Sequence, residues 1–255
     1  MISATVIRTV VGILGNIISL VLFLSPLKTF VNICKKGSVE QFSSMPYLAT
    51  IFNCGMWILY GLPMFHPNAI LVLTINGTGF VIEAVFLVLY LVYSDSKKQR
   101  LKLGSILAGE LGLVAVVGLL VGTLVKSVKQ RTTIIGSVCM VGCFLMYAAP
   151  LSVMRMVITT KSVKYMPFLL SLFSFLNGLC WTCYALIGQF DPYILAPNGL
   201  GALLGAAQLI LYATYYKSSK AQELELPVKN NEVGLAQITT APALPSAGPR
   251  VSKPV

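Results

Sequence analysis

Residues 41–82 carry no charged side chain over 42 consecutive positions. Ordinary soluble domains cannot supply such a run, because charged residues make up about a quarter of their sequence. A helix of roughly 20 apolar residues crosses the hydrocarbon of a bilayer. The run is too long for one crossing and right for two. It divides at His66-Pro67-Asn68, where proline and polarity end a helix. Residues 9–27, 132–154, 165–190 and 192–216 are also uncharged, and residues 103–125 hold one charge, Glu110. Seven spans are predicted, near residues 8–30, 45–65, 70–93, 103–125, 132–156, 167–189 and 192–216. Their apolar runs are continuous, so they are helices and not the alternating strands of a barrel. The composition agrees, with 56% of residues hydrophobic and 11% charged.

The net charge of +11 does not indicate nucleic acid, because the cations sit in the loops between spans. One side of the membrane receives Lys28, Lys35, Lys36, Lys97, Lys98, Arg100, Lys102, Arg155, Lys161 and Lys164, ten in all. The other receives four: Arg8, Lys126, Lys129 and Arg131. The cation-rich side is cytoplasmic by the usual bias, which puts the N-terminus outside and the C-terminus inside. Six cysteines are present, five of them within spans. The expected role of these five is apolar packing, not metal or redox chemistry. Residues 218–255 are polar and rich in Pro, Ala, Lys and Glu, and read as a disordered cytoplasmic tail.

The chain also repeats itself. Leu24-Ser25-Pro26-Leu27 returns as Ala148-Ala149-Pro150-Leu151, and Ser38-Val39 as Ser162-Val163. Asn53, Trp57 and Tyr60 return as Asn177, Trp181 and Tyr184, all at an offset of 124. Asn76-Gly77-Thr78-Gly79 returns as Asn198-Gly199-Leu200-Gly201 at 122, and Met45-Pro46-Tyr47 as Met166-Pro167-Phe168 at 121. Chance similarity of apolar helices matches leucine to leucine; it does not match Pro, Asn, Trp and Asn-Gly-x-Gly in order. Each unit has three spans, so an end-to-end copy would be inverted. The unpaired fourth span restores the direction and makes the copies parallel. The predicted organisation is a first repeat at 6–95, a linker helix at 101–125, a second repeat at 131–217 and the tail at 218–255. The fold class is all-α integral membrane, seven helices in a 3+1+3 arrangement. Carriers built from parallel repeats bind their substrate at the repeat interface near the midplane.

The motifs Gly15-Asn16, Phe23-Leu24-Ser25-Pro26, Tyr60-Gly61-Leu62-Pro63, TINGTG at 74–79, APLSVM at 149–154, TKSVKYMPF at 160–168 and PNGLG at 197–201 resemble those of plant SWEET sugar transporters. The resemblance spans residues 5–217. It implies two parallel triple-helix bundles and bidirectional, energy-independent sugar transport. Two departures stand out. Ala185 follows Tyr184 where Gly61 follows Tyr60, and His66 occupies a loop position where relatives often carry lysine.

Asn53 and Trp57 share a helix face, as do Asn177 and Trp181. Asn76 and Asn198 complete a neutral, polar and aromatic set. Amides bond to sugar hydroxyls in both senses, and indole faces stack on the C–H surface of the ring. The family resemblance implies that Trp57, Asn76, Trp181 and Asn198 line a central pocket, with Leu22, Asn53, Met146 and Asn177 beside them. Relatives favouring sucrose tend to have smaller residues at the latter four positions, so a monosaccharide such as glucose is the expected substrate. Pro26, Pro46, Pro150 and Pro167 are expected to bend four spans near the cytoplasm, and the family implies that this tetrad acts as a hinge. Tyr60 and Asp191 are candidates for the outer gate, Asp191 equally for a helix start before Pro192.

Glu83 and Glu110 are the acids within spans, and neither is expected in the pocket. That favours uniport over proton coupling. A proton-coupled small-solute carrier of the wider proline-glutamine-loop type is the alternative. A seven-helix receptor would not be duplicated, and no nucleophile–base or metal-ligand cluster suggests an enzyme. No cofactor is expected. The expected partners are the lipid bilayer and further copies, in a homo- or hetero-oligomer. The expected location is the plasma membrane, with the vacuolar membrane second.

Overall fold

The computed structural model describes residues 3–225. Nine helices are present among them: α1 (Ala4–Phe23), α2 (Leu27–Lys36), α3 (Met45–Gly61), α4 (Ile70–Tyr93), α5 (Lys97–Leu124), α6 (Val128–Met146), α7 (Ala148–Thr160), α8 (Phe168–Leu186) and α9 (Pro192–Glu225). α1 runs into α2 through a short break at Leu24–Pro26, and α6 runs into α7 through Tyr147. The nine segments thus form seven rods. Six are long and apolar enough to cross a membrane; the seventh, α3, has 17 residues and no charge.

Local chemistry sets the ends. Ser3 and Ser96 cap α1 and α5 by accepting the backbone N–H of Val6 and Gln99. Gly37 closes α2 in the left-handed region, at φ 70°. Helix α9 continues past residue 217, so the expected tail does not begin there. Residues 226–255 lie outside the described residues.

The proline expectation needs correcting. Pro26 stands at the α1–α2 break, as expected of a bend. Pro150 lies in the first turn of α7, after the break. Pro46 occupies the first turn of α3 and Pro167 caps α8. These positions lack an intrahelical N–H partner in any case, so proline starts those helices and does not bend them. The proline inside a helix is Pro197 of α9.

The two units have the same internal order. α4 packs against both α1 and α3, and α9 packs against both α6 and α8. The units meet by exchanging partners, with α1 against α8 and α6 against α3. The linker α5 packs on α3 and α6. Glycines allow the closest approaches. A Cβ on Gly12 would lie 2.5 Å from Leu71 Cδ1, and one on its repeat mate Gly136 would lie 2.5 Å from the Tyr193 ring. The outward face of α4 carries Val81, Val85, Val88 and Val92, spaced to form one exposed apolar stripe. An apolar exterior around polar interior residues is the arrangement of a multi-pass membrane protein.

Buried side chains distinguish the two ends of the bundle. Toward the Asp191 end, one buried cluster contains Trp57, Tyr60 and Phe65 of the first unit together with Trp181, Tyr184 and Ile194 of the second. Toward the proline end there are two separate clusters, one around Phe30, Tyr47 and Phe86 and one around Val157, Val163 and Met166. The units are joined at one end and parted at the other.

Candidate substrate cavity between the two units

A cavity of about 390 Å³ lies between the units. Leu22, Asn53, Trp57, Asn76, Met146, Asn177, Trp181 and Asn198 all line it. A second cavity of about 360 Å³ shares Leu22, Tyr147, Asn177 and Asn198 with the first. Together they form a fork. One branch runs along the first unit to Pro26 and Pro46, the other along the second unit to Pro150 and Pro167.

The polar groups are held in matched pairs. Asn76 Nδ2 donates to the Val72 carbonyl at 2.9 Å, and Asn198 Nδ2 donates to the Ile194 carbonyl at 2.8 Å. Each amide spends one N–H on its own helix and keeps a second N–H and an oxygen. The indoles sit at the closed end, each 6% exposed and edge-on to a tyrosine of its own unit. The ring centroids are 5.3 Å apart for Trp57–Tyr60 and 5.2 Å for Trp181–Tyr184.

A second layer was not legible in the sequence. Trp181 Nε1 donates to Ser19 Oγ at 3.1 Å, and Ser19 Oγ donates to Asn177 Oδ1. The position matching Ser19 in the other unit is Cys143, whose thiol lies 3.6 Å from Asn53 Oδ1. So each unit's first rod holds the other unit's asparagine. Cys143 has its expected role of apolar packing, against the shared core, and lines the cavity as well. Cys54 and Cys139 fit that role too, being 0% and 1% exposed. The expectation that Glu83 lies outside the pocket is overturned: Glu83 lines the first branch and is 3% exposed. Seven residues of helix cover about 10 Å, and the cavity wall is at least that long. Glu110, on the linker, is not among the lining residues.

At the closed end Tyr60 Oη shares its one proton between the two carboxylate oxygens of Asp191, at 2.8 and 2.7 Å. His66 Nε2 lies 3.3 Å from Asp191 Oδ2, and its ring stacks on Tyr60 with centroids 4.7 Å apart. Asp191 also accepts the backbone N–H of Tyr193 and Ile194, so it caps α9 as well. The contact with Tyr60 and the helix start are therefore parts of one arrangement. Burial alone would raise its carboxyl pKa, but the hydrogen bonds from His66 and Tyr60 prevail and hold it below the usual carboxylate range. Among the described residues, no group of three or more His, Cys, Asp or Glu could hold a metal.

The family described as "Sugar efflux transporter for intercellular exchange" matches residues 9–98 and again 133–220, once for each unit. The chain belongs to the SWEET family. Among its relatives, bidirectional sugar transporter SWEET7 of Arabidopsis thaliana is 53% identical over 229 residues, covering 90% of this chain and 88% of the relative. Bidirectional sugar transporter SWEET4 of Oryza sativa subsp. japonica is 55% identical over 220 residues, covering 86% and 84%. A solved eukaryotic SWEET transporter superposes with a TM-score of 0.81 at 39% identity, covering 84% of this chain and 99% of that one. The match at both repeats agrees with the duplication read from the sequence, and this SWEET protein is a transporter by family and not an enzyme.

Proposed function

We propose that this SWEET protein is a bidirectional sugar uniporter that holds one monosaccharide, glucose foremost, between Trp57 and Trp181 and the Asn76–Asn198 pair. The observation that carries this reading is the placement of two amides with spare bonding capacity and two indoles on one cavity between parallel units. The end joined by a shared core and the parted proline end support alternation between two access states. The four prolines edge both branches of the fork, which suits a role as helix starts about which the units rock. The loop cations support the Asp191 end as the outer one and the proline end as cytoplasmic. The plasma membrane is the first location to examine, by fluorescent fusion, with the vacuolar membrane second. Assembly with further copies is checked by cross-linking in the membrane.

The test is radiolabelled glucose, fructose, galactose and sucrose uptake and efflux in a transport-deficient cell. A uniporter equilibrates sugar and does not concentrate it. Glu83 on the cavity wall gives the proton-coupled reading its one supporting observation; accumulation above the outside concentration under an imposed proton gradient would establish it.

Size selectivity follows from the lining. Leu22, Asn53, Met146 and Asn177 narrow the cavity beside the Asn76–Asn198 pair. Asn53→Ser with Asn177→Ser is expected to raise sucrose uptake relative to glucose by about tenfold or more, the effect of admitting a larger ligand to a widened pocket. Equal sucrose and glucose uptake by the unaltered protein would end the monosaccharide assignment.

The outer lock carries a pH prediction. The Asp191 pKa is lowered in the folded state, so its stabilising contribution is present above the ordinary carboxylate pKa and is lost only as pH falls through the lower folded value. Across roughly pH 5 to 8 Asp191 therefore stays charged and keeps its bonds. With His66→Gln in both proteins, the difference in thermal unfolding between Asp191 and Asp191→Asn is expected to stay constant from about pH 7.5 to pH 5.5. A difference that shrinks as pH falls across that range would refute it.

A further inference from the structure

The two units are near copies at the amides and indoles and differ one layer further toward the proline end. There the second unit has Gly178 on α8 and Gly205 on α9. A Cβ on Gly178 would lie 2.7 Å from the Ala202 backbone nitrogen, and one on Gly205 would lie 2.8 Å from Phe175 Cα, so this layer is backbone against backbone. The matching residues of the first unit are Cys54 and Glu83. Glu83 and Gly205 each line their own branch of the fork, so one branch carries a carboxyl where the other carries a hydrogen.

Glu83 is 97% buried by the complement of its 3% exposure, and its Oε2 has no hydrogen-bond partner. The two ion pairs among the described residues are Lys36–Glu40 and His66–Asp191, and neither involves it. A carboxyl inside a membrane protein with an idle oxygen is costly, and helix packing alone gives no reason for it, since glycine serves in the second unit. The idle oxygen belongs to a residue on the cavity wall, on the stretch shared with Tyr47 and Thr50 and about 10 Å along α4 from Asn76.

We propose that Glu83 is a second hydrogen-bonding station for the sugar, engaging its hydroxyls on the cytoplasmic side of the Asn76–Asn198 pair. The route through the protein is then asymmetric despite the duplication, with sugar following the first unit's branch. This rests on the reading of the cavity as the sugar site and adds a residue to it.

The experiment measures glucose affinity of the full chain in detergent by tryptophan emission, together with thermal stability without sugar. Glu83→Gln keeps the shape and the hydrogen bonds; Glu83→Leu keeps the bulk alone. The expected result is affinity within about twofold for the glutamine variant and about tenfold weaker for the leucine variant, the equivalent of one lost hydrogen bond. Sugar-free stability of the leucine variant should not fall, because the idle oxygen supports nothing in the empty protein. Unchanged affinity in Glu83→Leu overturns the proposal. A parallel fall in stability and affinity also overturns it and assigns a structural role. Glutamine failing like leucine overturns it in favour of a proton site. If the leucine variant does not accumulate, Glu83→Ser takes its place with the same readings, as a polar side chain too short to reach. Asn76→Ala with Asn198→Ala separates the two levels: binding that survives there ends the cavity reading itself, whatever Glu83 does.

Discussion

Replacing both Asn76 and Asn198 with alanine is expected to reduce glucose uptake to the background of the transport-deficient host. Each amide uses one N–H on a carbonyl of its own helix, four residues back. Each keeps one donor and one acceptor for a hydroxyl. At about 1 kcal/mol for each of four hydrogen bonds, the pair accounts for about 4 kcal/mol, roughly a thousandfold in affinity. The protein should still reach the membrane in normal amount, because the helices satisfy their own backbone without these side chains. Uptake measured beside surface abundance checks this. Near-normal uptake by the double variant would mean that the amides merely bind helices together.

The second large effect is expected at Asp191. Its carboxylate takes the hydroxyl proton of Tyr60 between its two oxygens, faces His66 and caps α9. Hydrogen bonds to a charged group contribute about 1.5–3 kcal/mol each. Losing those from Tyr60 and His66 shifts the balance between access states by about 3 kcal/mol, more than a hundredfold in population. Asp191→Ala is therefore expected to lower transport by about tenfold or more, since a carrier stalled open at one end completes few cycles. Asp191→Asn keeps the cap and loses the charge, so it should fall between the two. Tyr60→Phe removes the donor and leaves the cap intact, and it should resemble the asparagine variant. Uptake by Asp191→Ala equal to that of the unaltered protein would remove the lock from the account.

The duplication was legible because it survives in residues that lipid-facing helices do not share by chance. Proline, asparagine, tryptophan and Asn-Gly-x-Gly return in order, and all eight pocket candidates line one cavity. Three features escaped for physical reasons. Ser19 and Cys143 act across the unit boundary, each on the other unit's asparagine, and no local pattern announces partners 158 and 90 residues away. Glu83 stands seven residues past Asn76, outside a site centred on that amide, yet helix α4 runs along the cavity wall and carries the carboxyl with it. The roles of Pro46 and Pro167 depended on where α3 and α8 begin. A boundary shift of a few residues turns a bending proline into a starting one.

The chain has two tryptophans, and both line the cavity. Their emission is therefore a reporter of that one site. Titrating the purified full-length protein with glucose should change the emission saturably, with a midpoint near the concentration that half-saturates transport, and the change should vanish in Asn76→Ala with Asn198→Ala. Emission unaltered by glucose at concentrations that saturate transport would contradict the account, because sugar would then be crossing by a route that avoids Trp57 and Trp181.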